Sequence, residues 1–451
     1  MAEEPNLTPQ IVKGLHFAPE QFVVCIHHTD GDGVVSALVL KTYFNNIWFI
    51  GTNYGKKINY NQINPGVPVF ILDYTLPVEE LRQLVKFNPV VTIDHHITMF
   101  GEEYAEFHNL EGIRSTEAAG CVLTWRYLHP DEPCPRSVLL TSDYDTWNFT
   151  DPDTLPFHYG LELFNINPRQ SSDVFVRKFL YNSEFTSCLI NMGKRIGNYI
   201  ERRNQLLSEN ASFISEINGH KVLVMNIRNT NSKVLDYAAK QHPEIKLRST
   251  FGYNSSINSY KCSLYSDDES ITCQEVDERF KGHKSAAGME CSLAELPFKL
   301  PTHNLKEPAN EYDYVSELNK LCYADPIVYK HEASSLGYLC KLNGYPGKFE
   351  KMDAFIINHP FWNGAAMYTT TLITDYQIAV FWNLTSSGWY RYRIYPLEKN
   401  RLTLEELVAR IPGGKIVGDS VWCYRETPIE NPNPEPPELS SPKKTYFPKR
   451  F

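Results

Sequence analysis

The sequence predicts an α/β protein with a parallel-sheet first domain, a smaller α/β second domain and a C-terminal α+β unit. Three observations carry this expectation. The apolar runs Phe22–Ile26, Val69–Leu72 and Val90–Ile93 read as strands buried on both faces, with helical patterns between them. Each run leads into acidic or histidine groups: His28-Thr29-Asp30-Gly31-Asp32-Gly33, then Asp73, then Asp94-His95-His96. Ligands of such sheets bind beyond the carboxyl ends of the strands, so one edge would collect all three pieces.

Local signals place the intervening helices. The first starts near Gly33 and runs from Val34 to Phe44. The next follows Pro77, a good first-turn residue, through Val85. Ser115 is a candidate cap for a helix carrying Ala118 to Tyr127. Pro135 opens a helix that ends at Ser142-Asp143. Leu189, Met192, Ile196 and Ile200 stand at helical spacing, so residues 186–210 read as a long linker helix. Its Lys194, Arg195, Arg202 and Arg203 are most simply a solvated face. The first domain then covers 15–185.

The second domain, 211–300, has strand-like runs at Ser212–Ile217, Lys221–Ile227 and Tyr260–Tyr265, followed by the glycine-alanine segment 282–288. A connector over 300–325 leads to an aromatic, strand-rich unit over 326–425. That unit reads as a degenerate copy of the second domain. Tyr260-Lys261-Cys262-Ser263-Leu264-Tyr265 matches Tyr390-Arg391-Tyr392-Arg393-Ile394-Tyr395, and Arg279-Phe280-Lys281-Gly282-His283-Lys284 matches Arg410-Ile411-Pro412-Gly413-Gly414-Lys415. Matches this short arise by chance as readily as by duplication. Trp382, Trp389, Tyr390 and Tyr392 suit either base stacking or ordinary core packing. Residues 427–451 are proline-rich, end basic and read as a flexible tail.

With 451 residues, 42% of them hydrophobic, the chain can bury several cores. A net charge of -9 without a lysine or arginine block disfavours a long duplex partner. Ten scattered cysteines without a C-x-x-C pair, and an acidic start, fit a reduced, cytoplasmic protein. No run approaches the ~20 apolar residues that span a bilayer, so no membrane association is expected.

His28, Asp30 and Asp32 alternate and share one side if the segment is extended. With Asp73, Asp94, His95, His96 and Asp143 they can enclose two adjacent ions. Singly, an Asp at a strand end is usually a cap or turn former, and the set is what points to metal. Mixed imidazole and carboxylate ligands without thiolate suit Mn²⁺, Fe²⁺, Zn²⁺ or Co²⁺. Two such ions, about 3.5–4 Å apart, activate water and stabilise both oxygens of a phosphoryl displacement. No P-loop or Ser/Cys nucleophile pattern competes. Gly31 and Gly33 would let the backbone turn tightly near a phosphate.

The order of these motifs resembles the DHH phosphoesterase superfamily, named for the triplet seen here as Asp94-His95-His96. Gly282-His283 in its setting is similar to the glycine-histidine motif of the DHHA1 domain, although Phe280-Lys281 stands where the family often has further glycines. The resemblance covers about residues 20–295 and is strongest to the nano-RNase, cyclic-nucleotide phosphodiesterase and RecJ-related branch. It implies two divalent ions, Mn²⁺ first, with Mg²⁺ and Co²⁺ as alternatives. One ion would be held by His28, Asp30 and Asp73, and the other by Asp32, Asp73, His95 and Asp143. Asp94 would orient a neighbouring histidine, and His96 would contact the scissile phosphate or leaving oxygen. Gly282 and His283 would bind the substrate's phosphate or terminal nucleotide, with Arg279 and Arg228 as further phosphate contacts. The implied partner is a short single-stranded oligonucleotide or small nucleotide, cut to mononucleotides. A small-nucleotide phosphatase, a cyclic (di)nucleotide phosphodiesterase and an inactive nucleotide-binding scaffold remain alternatives.

Overall fold

A computed structural model describes residues 8–164, 166–227, 232–255, 257–268, 270–282, 284–301, 324–358, 376–385, 389–397, 402–417 and 420–425, with positions 318, 320–322 and 428. His283, Arg228 and nearly all of the 427–451 tail lie outside these residues. The chain is mixed α/β, with six-stranded sheets, and divides into two compact units, 1–197 and 198–451. Among the described residues, no helix is long and apolar enough to cross a membrane.

The first unit is built on β1 (Gln10–Val12), β2 (Phe22–His28), β3 (Asn46–Thr52), β4 (Val69–Leu72), β5 (Val90–Asp94) and β6 (Glu111–Arg114). Their order is β1-β6-β5-β4-β2-β3, and only β1 runs antiparallel to its neighbour. Alternate residues of each inner strand face two cores. Val23, Cys25, Phe70, Leu72, Val91 and Ile93 join one with α1 (Gly31–Leu40), α3 (Gly120–Leu128) and α4 (Arg136–Asp145). Val24, Ile26, Val69, Ile71 and Val90 join the other with α2 (Val78–Phe87). Burial on both faces is why the three strands read as continuous apolar runs. From β2 the chain first pairs β3 on one side and then β4 on the other. The resulting switch point lies between β2 and β4.

Two helix starts differ from expectation. Asp30 accepts a hydrogen bond from the Gly33 N–H (3.0 Å), which opens α1 at Gly31. Asp32 therefore sits in the first helical turn and not in an extended segment. Ser115 does not cap α3; it accepts from the Glu117 N–H, and the helix begins after Ala119. α5 (Thr154–Leu161), α6 (Asp173–Tyr181) and the long α7 (Ser183–Ala211) complete this part of the chain.

The second unit carries two sheets of one design. The first has β7 (Ser212–Ile217), β8 (His220–Asn226), α8 (Asp236–Gln241), β9 (Leu247–Asn254), β10 (Ser259–Ser266), α9 (Cys273–Val276), β11 (Lys281–Gly282) and β12 (Ala286–Cys291). The second follows α10 (Pro326–Asn343) with β13 (Tyr345–Phe349), β14 (Met352–Asn358), β15 (Ile378–Leu384), β16 (Tyr390–Pro396), α11 (Leu404–Arg410), β17 (Lys415–Val417) and β18 (Ser420–Arg425). The orders are β7-β8-β9-β10-β12-β11 and β13-β14-β15-β16-β18-β17, each with its parallel pair second. Thr272/Glu275 and Thr403/Glu406 form matching capping boxes on α9 and α11. The matched sequences 260–265 and 390–395 fall on the equivalent strands β10 and β16.

The two sheets share one core, in which Trp382, Tyr390 and Tyr392 are buried. At its centre Asn226 and Asn358 end the equivalent strands β8 and β14. Their side chains bond to each other (3.1 Å). Asn226 donates to the Phe251 carbonyl (3.1 Å) and accepts from the Leu384 N–H (2.9 Å). Asn358 donates to the Trp382 carbonyl (2.9 Å) and accepts from the Tyr253 N–H (2.8 Å). Each asparagine thus satisfies one backbone N–H of the opposite sheet. Asn358→Leu strands the buried Tyr253 N–H and should cost about 2–4 kcal/mol, with Asn226→Leu costing about the same. Urea unfolding of the full chain, followed by tryptophan fluorescence, checks this.

Candidate metal centre

Strand register assembles the site. His27 pairs with Leu72 and Leu72 with Ile93, so one step further His28, Asp73 and Asp94 stand side by side at the carboxyl ends of β2, β4 and β5. Adjacent strands are about 4.8 Å apart, close enough for one ion to bridge their side chains. His95 and His96 continue from β5, and α1 delivers Asp30 and Asp32.

The donor atoms fall into overlapping groups: His28, Asp30 and Asp73; Asp73, His95 and His96; and Asp32, His95 and Asp145. His28 Nδ1 lies 2.6 Å from Asp30 Oδ2 and 3.8 Å from Asp73 Oδ2. His95 Nε2 lies 3.2 Å from Asp73 Oδ1, 3.2 Å from Asp145 Oδ2 and 3.8 Å from Asp32 Oδ2. His95 joins the last two groups, and the first two share Asp73. Asp73 is 1% exposed, and neither of its oxygens meets an aligned hydrogen-bond donor. The buried His28 Nδ1 likewise lacks an aligned partner. Convergent buried acceptors in this state are what a cation satisfies, so the residues fit a pair of divalent ions. Asp73 also has φ +52°, a strained value for a non-glycine residue, held by its N–H bond to the Ile93 carbonyl (2.9 Å).

Neighbouring groups tune the remaining acids. Asp32 takes N–H bonds from Gly120 (2.7 Å) and Cys121 (2.8 Å), at the first turn of α3. A side chain at Gly120 would meet Asp73 Cβ at 2.8 Å and Asp32 Oδ2 at 3.0 Å. Gly33 is required by packing too, since a Cβ there would lie 2.4 Å from the His28 carbonyl, whereas one at Gly31 would meet open space. Asp94 accepts from the Thr75 hydroxyl (2.6 Å) and contacts His96 Nδ1 (2.7 Å), which orients that ring. Burial opposes the charge on Asp94, but the His96 contact holds its pKa below the usual value. Burial lowers His96, yet Asp94 and then Asp73 raise it to about 9. Burial pushes Asp73 up to about 7 and Asp32 well above the usual carboxylate range. The close carboxylates of Asp30, then Asp73, raise His28 to about 10.

One expected ligand lies elsewhere. Asp143 faces the following loop, where its oxygens accept from the Thr150 N–H (3.0 Å) and hydroxyl (2.7 Å), the Asp151 N–H (3.2 Å) and the Thr154 hydroxyl (2.5 Å). Burial works against its charge, but these bonds, Thr154 first, take its pKa down to about 2. Asp145, at the last position of α4, supplies the carboxylate to the cluster. Helical spacing was the available signal: Val138, Ser142 and Asp145 lie at i, i+4 and i+7 on one face. The expected helix end at Ser142-Asp143 concealed it. The contribution of Gly120 had no counterpart among the sequence motifs.

In the second unit, Gly282 ends β11 with φ +140°, a conformation that favours glycine. A Cβ there would also lie 2.9 Å from the Ala286 carbonyl. Arg279 grips Asp277 through Nε and Nη2 (3.0 and 2.6 Å) and donates to the Glu295 carbonyl (3.0 Å), so its fork is largely occupied by its own domain. It still lines an open hollow of about 620 Å³ with Lys261, Lys281 and Tyr265.

No family model matches the chain. An uncharacterized protein of Acanthamoeba polyphaga mimivirus is 22% identical over 312 residues, covering 61% of this chain and 69% of that protein. Solved structures similar to it include the pGpG-specific phosphodiesterase from Vibrio cholerae, at 12% identity and a TM-score of 0.38, covering 60% of this chain and 94% of that one. A putative family II inorganic pyrophosphatase of Methanococcus jannaschii has 12% identity and a TM-score of 0.23, with the same coverages. CDC45 from Entamoeba histolytica has 11% identity and a TM-score of 0.21 over 90% of this chain and 93% of that one. The site's own geometry therefore carries the functional reading.

Two outcomes are expected of the site. Asp145→Asn should lose one of two bound Mn²⁺ ions while Asp143→Asn keeps both, as metal content after desalting would show. An ion must displace protons that His28 and Asp73 hold, up to about 10 and about 7 respectively. Mn²⁺ affinity should therefore rise from pH 6 to pH 8 by ~tenfold or more, read by isothermal titration calorimetry.

Proposed function

We propose that the chain is a two-metal phosphodiesterase of the DHH type, which cuts short oligonucleotides to mononucleotides. The observation that carries this is Asp73, buried and strained, with both oxygens turned into two adjoining ligand groups. His28 and Asp30 would complete one group. His95, 3.2 Å from Asp73 Oδ1, would join Asp73 to Asp32 and Asp145 in the other. Two divalent ions bound there supply an activated water and Lewis acidity for in-line displacement at phosphorus.

The chain's own residues do the remaining work. Asp94 fixes the His96 ring through Nδ1, which leaves Nε2 for the substrate. A His96 held protonated by Asp94 and Asp73 suits contact with a phosphate or with the departing oxygen. Thr75 holds the second oxygen of Asp94, so the carboxylate cannot swing away from His96. Gly282 and His283 of the second unit are assigned to the substrate's terminal nucleotide on the strength of the family resemblance. Short substrates fit a chain of net charge -9 better than long duplex does.

The test is mononucleotide release from a 5′-labelled pentaribonucleotide with Mn²⁺. The wild type should release labelled product, and Asp73→Asn and His95→Ala should each lower kcat/KM by ~10³-fold or more. No release by Mn²⁺-loaded wild type on this substrate, on cyclic dinucleotides or on 3′-phosphonucleotides would overturn the proposal in favour of a binding role.

A further inference from the structure

Beside the candidate metal centre stands an aromatic side chain that the ligand scheme does not use. Tyr54 follows β3, whose last residue Thr52 pairs with His28 across the strands. Its ring lies 5.6 Å from the His28 ring and 6.1 Å from the His96 ring, centroid to centroid. It packs at 4.9 Å and 33° on Tyr74, which itself follows Asp73. Yet Tyr54 is 55% exposed.

The ring is held in place despite this exposure. Thr29 donates to the Asn53 side chain (2.7 Å), and the Tyr74 hydroxyl donates to the Asn53 carbonyl (3.4 Å). Gly55, with φ +82°, then turns the chain away from the site. A tyrosine phenol, with an ordinary pKa of about 10, is neutral at working pH. A preorganised, uncharged ring with one face packed and the rest open costs little to cover with a second flat ring. A nucleotide whose phosphate meets His96 carries its base within reach of that ring, 6.1 Å away.

We infer that Tyr54 is a stacking platform for the base adjoining the scissile phosphate, so that the site selects nucleotidyl esters over base-free ones. This rests on the phosphodiesterase reading of the same site and adds the part of the substrate that is recognised. Stacking tolerates any base, so the selection is for the presence of a base and not for its identity. Tyr54 acts by positioning, and its loss should appear in KM more than in kcat.

The test compares wild type, Tyr54→Phe, Tyr54→Trp and Tyr54→Ala on a 5′-phosphorylated adenine dinucleotide and on the same backbone with abasic sites, all with Mn²⁺. On the dinucleotide, Tyr54→Ala should raise KM ~tenfold, with Phe and Trp near wild type. On the abasic backbone all four should agree. An equal loss on both substrates, or no loss on the dinucleotide, overturns the inference. A second measurement uses a dinucleotide containing 2-aminopurine, with Ca²⁺ to bind it without turnover. Wild type should quench its fluorescence, and Tyr54→Ala should not. If wild type cleaves no ester, the phosphodiesterase reading falls while the quench still tests the stack. Absence of quench in wild type overturns the stack alone.

Discussion

The sheet edge of the first unit is governed by carboxylates buried beside one another. Asp32, Asp73 and Asp94 are each 1% exposed. Removing an ionised carboxylate from water costs several kcal/mol unless charge or hydrogen bonds replace the solvent. Asp94 is compensated by Thr75 and His96, and Asp32 by two N–H groups of α3. Asp73 has no such set, and it adds the strain of a positive φ, of order 1–3 kcal/mol. A fold does not gain stability from that arrangement. It gains a fixed set of converging buried acceptors that a divalent cation can satisfy once it displaces their protons.

The same constraint explains how much of the site was legible. Residues at the ends of β2, β4 and β5 are tied to strong strand signals, and those strands are buried on both faces. His28, Asp73, Asp94, His95 and His96 were therefore placed by their strands alone. Asp32 was named for its alternation with Asp30, but it arrives through the first turn of α1 because Asp30 caps that helix. The helix that supplies the further carboxylate runs two residues past its expected end. α4 continues past Asp143, and Asp145 reaches the cluster along the face of Val138 and Ser142. Long-range packing left no local trace at all. Nothing around Gly120 announces that its missing Cβ lets α3 close on Asp32 and Asp73.

In the second unit, short sequence matches became informative once topology was added. The two hexapeptides fall on sheets with one strand order, one parallel pair in the same place and matching capping boxes. The Asn226–Asn358 pair shows what the repetition achieves physically. Each asparagine answers one backbone N–H of the opposite sheet and the two bond each other, so the sheets satisfy each other's polar atoms inside one core. A buried polar pair of this kind fixes register, because any slip leaves several groups unpaired.

The two sheets differ on their outer faces. Lys261 is exposed and Ser263 and Tyr265 are half-buried, and all three line an open hollow. Their counterparts Arg391, Arg393 and Tyr395 are buried. Arg391 lies over the Trp422 ring at 5.0 Å, and Phe381 packs edge-on against Tyr395. A face that is covered cannot hold a phosphate, however basic its residues. The exposed face of the first copy retains lysines that water now solvates and that an anion can reach. The divergence follows the sequence difference at the glycine motif, where Gly414 replaces His283. One sheet is open to a ligand, and the other packs against it in the shared core.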